Sequence, residues 1–94
     1  MKKIIDGKLY NTETADNLAI FSTEAHYHYT EELYRTKRTH RFFLHRRGLV
    51  KWEGNQGCWG EDIITITESE ARSWAEKHIT ADEYIEIFGE VEEA

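Results

Sequence analysis

Residues 63–71 read Ile63-Ile64-Thr65-Ile66-Thr67-Glu68-Ser69-Glu70-Ala71, a β-branched run that leads directly into a helix start signal. β-Branched side chains favour strands, so this run predicts a buried strand over Asp62–Thr67. Thr67 and Glu70 have the S/T-x-x-E spacing of a capping box. A second capping box lies at Thr80–Glu83, and Gly89 is placed to end the helix that follows it. The C-terminal third is therefore predicted to form one strand and two helices.

Both predicted helices are amphipathic. Their apolar residues recur at i, i+3, i+4 and i+7, the spacing of a helix that packs on a core through one face. These residues are Ala71, Trp74, Ala75 and His78 in the first helix, and Ala81, Tyr84, Ile85 and Phe88 in the second. We expect both helices to pack on one face of a sheet.

The central part of the chain predicts the rest of that sheet. Three runs are strand-like, and the connections between them are short, which favours antiparallel neighbours. The runs are Glu31–Lys37, Arg41–Arg46 and Leu49–Glu53. Gly54, Gly57 and Gly60 then predict a hairpin loop before the last strand.

The N-terminal part predicts a small ribbon and one helix. Asp6-Gly7 separates Lys2–Asp6 from Lys8–Tyr10, and an Asp-Gly pair is typical of a tight hairpin. A helix is predicted from Thr12 to about Ser22–Thr23, because Ala15, Leu18 and Ala19 share one helical face. The expected fold is α+β: an antiparallel sheet of about four strands, with an N-terminal helix and two C-terminal helices on one face.

Composition limits the class of protein. The chain has 94 residues, which suits one domain spanning residues 1–94. Its single cysteine excludes an intrachain disulfide, and no apolar run approaches the ~18 residues of a membrane-spanning helix. The first residues lack the apolar stretch of a signal peptide, so a cytoplasmic location is expected.

The charges fall into three zones. Residues 1–34 carry six acids and three bases, residues 35–51 carry seven bases and no acid, and residues 52–94 carry twelve acids and two bases. The net charge of −6 is therefore the sum of a strongly basic middle zone, residues 35–51, and a strongly acidic end, residues 52–94, with a weakly acidic first zone. Charge of one sign gathered on one element attracts partners of the opposite sign, unless the two zones lie against each other and cancel.

No residue pattern indicates catalysis. Nucleotide-binding and zinc-protease motifs are absent, and the carboxylates at 68, 70, 82 and 83 are explained by helix capping. Cys58 could act as a nucleophile, but no histidine stands at a fixed spacing from it that would make it the base. His26 and His28 could form a metal-binding pair with His40 or His45 as a third ligand, but neither of these has the tight spacing of a zinc site. We expect no enzymatic activity, no cofactor and no metal.

Two surfaces remain as candidates for binding. The first is acidic and fits a positively charged protein partner; its residues are Asp82, Glu83, Glu86, Glu90, Glu92 and Glu93. Glu83, Glu86 and Glu90 have the i, i+3, i+7 spacing of one helical face, and such a stripe of carboxylates could roughly imitate a row of phosphates. The alternative is a basic patch with an aromatic ring for nucleic acid; its residues are Arg35, Lys37, Arg41, Phe43, Arg46, Arg47 and Lys51. The two-residue period of a strand places Arg41, Phe43 and Arg47 on one face, opposite Phe42 and Leu44. Nucleic-acid-binding domains usually have a basic pI, whereas this chain has a pI near 5.3, so protein binding is the first expectation.

Several segments resemble a family of small acidic proteins carried by phages and other mobile elements. They are residues 6–15, 32–37, 42–44, 67–76 and 82–93. The resemblance implies a non-enzymatic inhibitor of host defence, similar to anti-CRISPR proteins, which binds a nucleic-acid-handling complex such as a CRISPR–Cas effector or another defence nuclease in the host cytoplasm. Residues 45–53 depart from that family, because they are far more basic than the neutral hairpin expected there.

Overall fold

The computed structural model describes residues 1–23, 29–50 and 58–94. These ranges contain six strands and two helices, in the order β1 (Lys2–Ile5), β2 (Lys8–Asn11), β3 (Asp16–Thr23), β4 (Tyr29–Arg35), β5 (Phe42–Val50), β6 (Cys58–Ile66), α1 (Glu68–His78) and α2 (Ala81–Phe88). Strands β3, β4, β5 and β6 form an antiparallel sheet in that order, and β1 and β2 form a separate ribbon. The α+β class, the four-stranded antiparallel sheet and the two C-terminal helices are confirmed.

The N-terminal helix prediction was wrong. Residues 12–14 form a turn, and the chain then enters β3, which pairs with β4 over its whole length. Ala19 is buried while Ile20 on the opposite face is largely exposed, the alternation of a strand. Pairing with β4 satisfies the backbone groups on one side of β3 and buries Ala19, and helical propensity is too weak to compete with this.

Strand β5 is also longer than predicted. The sequence predicted two strands separated at Arg47-Gly48, but β5 continues to Val50, and Gly48 pairs with Tyr29 on one side and Gly60 on the other. The sequence predicted Gly48 to be a turn residue, but it lies inside the hydrogen-bonded ladder of the sheet. The predicted stretch from residue 51 to 53 lies outside the described residues.

The two faces of the sheet carry two different cores. Helices α1 and α2 cover one face, where the buried residues are Ala19, Leu33, Phe42, Leu44, Ala71, Trp74 and Ala75. The other face holds a smaller cluster with the ribbon, made of Tyr10, Tyr34, Phe43 and Ile63. Successive buried residues of β5 therefore face different cores, as the two-residue period of a strand requires. Phe42 and Leu44 belong to the helix-side core, and Phe43 belongs to the other.

The N-terminal ribbon has the turn that Asp6-Gly7 predicted. Both residues have positive φ, 51° and 74°, as a type I′ hairpin requires, and glycine adopts this conformation without cost. Lys3 Nζ donates to Asp62 Oδ1 at 2.6 Å and so ties the ribbon to the edge strand β6. This hydrogen bond holds the pKa of the Asp62 carboxyl below its ordinary value. Both side chains are about half exposed, so the pair stabilises the fold by ~1 kcal/mol at most.

The helices are short. Among the described residues, neither has the length and apolar character needed to cross a bilayer.

Candidate functional site

Helix α2 begins and ends where the sequence predicted. The Glu83 backbone N–H donates to Thr80 Oγ1 at 3.2 Å, and the Thr80 backbone N–H donates to Glu83 Oε1 at 3.3 Å, which completes the capping box. At the other end the Gly89 N–H donates to the Ile85 carbonyl, and its φ of 94° suits glycine alone. Glu83 therefore has a structural role that the other C-terminal acids do not have.

Helix α2 packs on the core through a face slightly different from the predicted one. Tyr84, Ile87 and Phe88 contact the helix-side core, with the Phe88 ring 5.8 Å from that of Phe42. Ile85, assigned to the buried face by its spacing, is instead 38% exposed. An apolar side chain is thus left at the surface of α2.

The Ile85 side chain lines an apolar groove, which we call the C-terminal groove. It has a volume of about 420 Å³ and lies between the end of α1, helix α2 and the tail that follows Gly89; its lining residues are Ala75, Glu76, Ile79, Thr80, Ala81, Tyr84, Ile85, Val91 and Glu92. Val91 is 54% exposed. The floor is mainly apolar, and Glu76 and Glu92 supply the only charges of the lining.

Of the six predicted acidic residues, Glu92 lines this groove, and the other five lie on helix α2 or on the tail after Gly89. All six lie at the surface, and no ion pair joins any of them to a cation within residues 1–23, 29–50 and 58–94. We call them, together with Glu76, the C-terminal acidic surface. The basic residues of the middle zone therefore form no ion pair with these six acids in the described part of the structure.

The acidic stripe is shorter than the sequence predicted. Glu83, Glu86 and Glu90 have the spacing of one helical face, but α2 ends at Phe88 and Gly89 turns the chain away. Only Asp82, Glu83 and Glu86 lie on the helix, and Glu90 belongs to the tail. A regular row of carboxylates that copies a phosphate row is therefore absent from the described residues.

The predicted basic patch does not form one surface. Arg46 lies across from Glu31 and Asp62 in the sheet, whereas its neighbour Arg47 points to the opposite face and reaches Glu32 Oε1 at 3.2 Å. Lys37 and Arg41 lie instead at the β4–β5 connection. Arg35 is half-buried at the end of β4, and Lys51 falls outside the described residues.

Phe43 contradicts the role that the sequence suggested for it. The side chain has no exposed surface; its ring stacks on Tyr34 at 5.1 Å and meets Tyr10 edge-on at 5.5 Å. The ring is part of the second core and is not available to stack on a base. The strand face was predicted correctly, but the ribbon covers it.

A buried polar cluster that sequence analysis missed lies next to Phe43. Glu32 Oε2 accepts from Asn17 Nδ2 at 2.8 Å and from the Tyr34 hydroxyl at 3.2 Å. His45, whose side chain is 6% exposed, lies between two carboxylates, with Nδ1 3.6 Å from Glu32 Oε1 and Nε2 3.5 Å from Glu61 Oε1. Burial, with the adjacent charge of Glu32, raises the pKa of the Tyr34 phenol above its ordinary value.

This cluster joins the four strands β3, β4, β5 and β6, and none of its residues lines the C-terminal groove. Within the described ranges no set of three or more His, Cys, Asp and Glu side chains could hold a metal ion. The other candidates for chemistry are not placed: His26 and His28 lie outside the described residues, and nothing is described of the Cys58 side chain.

Comparisons with models of known families, with curated proteins and with solved structures found no match.

Proposed function

We propose that this chain is a non-catalytic binding protein that docks on a cationic protein surface through its C-terminal end. The observation that supports this most is the combination of an apolar groove lined by Glu76 and Glu92 with further exposed carboxylates on α2 and the tail, none of which forms an ion pair in the described residues. An apolar floor provides area to bury, and a charged rim provides orientation and a fast encounter.

The partner that fits is a protein surface with an exposed apolar side chain flanked by lysines or arginines. Ile85 and Val91 offer apolar contact, while Glu86 and Glu92 offer acceptors for guanidinium or ammonium groups. Channels of nucleic-acid-handling proteins present such cations. The resemblance to accessory proteins of mobile elements favours a defence protein, such as a CRISPR–Cas effector, whose access to nucleic acid would be blocked by charge and bulk.

Charge reversal tests the proposal. Glu86→Lys with Glu92→Lys is expected to weaken binding at least tenfold while leaving the fold intact, because both side chains are exposed and neither caps a helix. Binding is measured by biolayer interferometry against a panel of purified CRISPR–Cas effectors and other defence nucleases, together with inhibition of their nuclease activity.

The matched control is Glu13→Lys, which reverses an exposed charge in the turn before β3 and should leave affinity unchanged. Two outcomes contradict the proposal: no member of the panel is bound, or the double variant binds as well as the original chain. Glu83 is left unchanged in this test, since its loss would also disturb the cap of α2.

A further inference from the structure

Several cationic side chains lie at the end of the sheet where β4 and β5 are connected. A second cavity, of about 510 Å³, opens between β2, the turn after it and the β4–β5 connection, and we call it the hairpin cleft. Its lining residues are Lys8, Leu9, Tyr10, Asn11, Thr14, Ala15, Thr36, Lys37, Arg38, Thr39 and Arg41. Four of these side chains are cationic and none is a carboxylate.

The cations of the hairpin cleft are largely free of ion pairs within the described residues. Lys37 Nζ lies 3.6 Å from Asp16 Oδ1, but both side chains are well exposed, so water screens the pair. No ion pair involves Lys8, Arg38 or Arg41 in the described part of the chain. Four like charges around one cavity repel one another, and an anion bound between them would relieve this repulsion.

A neighbouring cavity shows that the arrangement is specific to this cleft. That cavity shares Lys8, Tyr10 and Arg41 with the hairpin cleft, but its lining also includes three carboxylates, Asp6, Glu68 and Glu70. An anion is repelled there, although the volume is similar at about 540 Å³. The two cavities thus have similar volumes but differ in the charge of their linings.

The hairpin cleft also has an apolar side. Leu9, which is 57% exposed, and Ala15 belong to its lining, while Arg38 and Arg41 belong to the β4–β5 connection. A ligand that matches both sides carries an anionic group and a flat, weakly polar ring. Arginine binds phosphate through two parallel hydrogen bonds, so phosphate is the anion that these side chains suit best.

We propose that the hairpin cleft binds a nucleoside phosphate, with its phosphate between Arg38 and Arg41 and its base against Leu9. The volume lies in the range of small-molecule sites and accommodates one such unit. The net charge of −6 does not prevent this, because charges more than ~8 Å away are largely screened at physiological salt. The unit is either a free nucleotide or one residue of a single strand.

The test uses the full chain and two probes, a fluorescent adenosine monophosphate and a fluorescent oligothymidylate, followed by anisotropy across a salt series. We expect at least one probe to bind and excess inorganic phosphate to displace it. A steep loss of affinity with salt for the oligonucleotide alone identifies a single strand, since several phosphates are then neutralised. A shallow dependence with both probes identifies the free nucleotide.

Arg38→Gln with Arg41→Gln should weaken binding at least tenfold without changing the melting temperature, because both side chains are exposed. The matched control is Lys77→Gln, which removes an exposed cation from the last turn of α1, away from the cleft. The proposal is overturned if neither probe binds, or if the double arginine variant binds as tightly as the Lys77 variant. Either result leaves the proposed docking at the C-terminal groove untouched.

Discussion

Phe43→Ala is expected to lower the free energy of unfolding by about 3–5 kcal/mol, most of the stability of a domain of this size. The ring is fully buried between Tyr34 and Tyr10, which also join the sheet to the N-terminal ribbon. Its removal leaves a cavity in the smaller of the two cores, which has few other residues to fill it. Urea denaturation followed by tryptophan fluorescence measures the loss.

Ile20→Ala is the control for Phe43→Ala. Ile20 projects from β3 on the same face of the sheet but is 57% exposed, so its truncation should cost less than ~1 kcal/mol. Unchanged stability of the Phe43 variant would contradict the structure, because it would mean that the ring is exposed. Loss of nucleic-acid binding in such a variant would then point to a ring that stacks on a base.

Glu32→Ala is expected to destabilise the domain by about 2–3 kcal/mol. The carboxylate is the acceptor for Asn17 and Tyr34 and lies beside His45 and Arg47, so its loss removes the acceptor of the buried Tyr34 hydroxyl and the carboxylate next to the buried His45 Nδ1. Arg47 is about half exposed and can turn to water, which keeps the cost below that of a fully buried pair. The same denaturation measurement applies.

Glu61→Ala is the matched control, since Glu61 lies at the other nitrogen of the same imidazole but is 49% exposed; its loss should cost less than ~1 kcal/mol. Glu32→Gln should also lower the pKa of the Tyr34 phenol, because the negative charge of Glu32 helps to raise it. NMR titration of the tyrosine ring resonances follows this shift. Equal destabilisation by the two alanine variants would contradict the burial of Glu32.

Local signals predicted the helices well. Thr67 and Thr80 each form the capping box that their spacing indicated, and the buried residues of α1 are those of the predicted stripe. Such signals need only neighbours within one or two turns, so a single sequence contains them. The Asp6-Gly7 turn is local in the same sense.

Non-local pairing explains what was missed. The segment Asp16–Thr23 has a spacing compatible with a helix, and only the presence of β4 beside it makes it a strand. Likewise, alternation along β5 separated Phe43 from Phe42, but it did not show that a second layer covers the Phe43 side. The Glu32–His45 contact joins two strands and depends on their register, which no local pattern reveals.

The sequence did not predict the C-terminal groove. The acidic residues are exposed as expected, yet the groove beside them depends on the turn at Gly89, which brings Val91 and Glu92 back towards α1. The basic zone was predicted as one strand face, whereas Lys37, Arg38 and Arg41 lie at the β4–β5 connection, where Lys8 of the ribbon joins them.

The most direct test of the central claim is to map the docking surface in the complex with the effector that the panel identifies. Zero-length carbodiimide cross-linking joins carboxylates to lysine amines that touch them, and mass spectrometry identifies the linked residues. We predict cross-links from Glu86, Glu92 and Glu93 to lysines of the partner's nucleic-acid channel. Cross-links confined to Glu13, Asp16 and Glu61, with none in residues 76–94, would contradict the account.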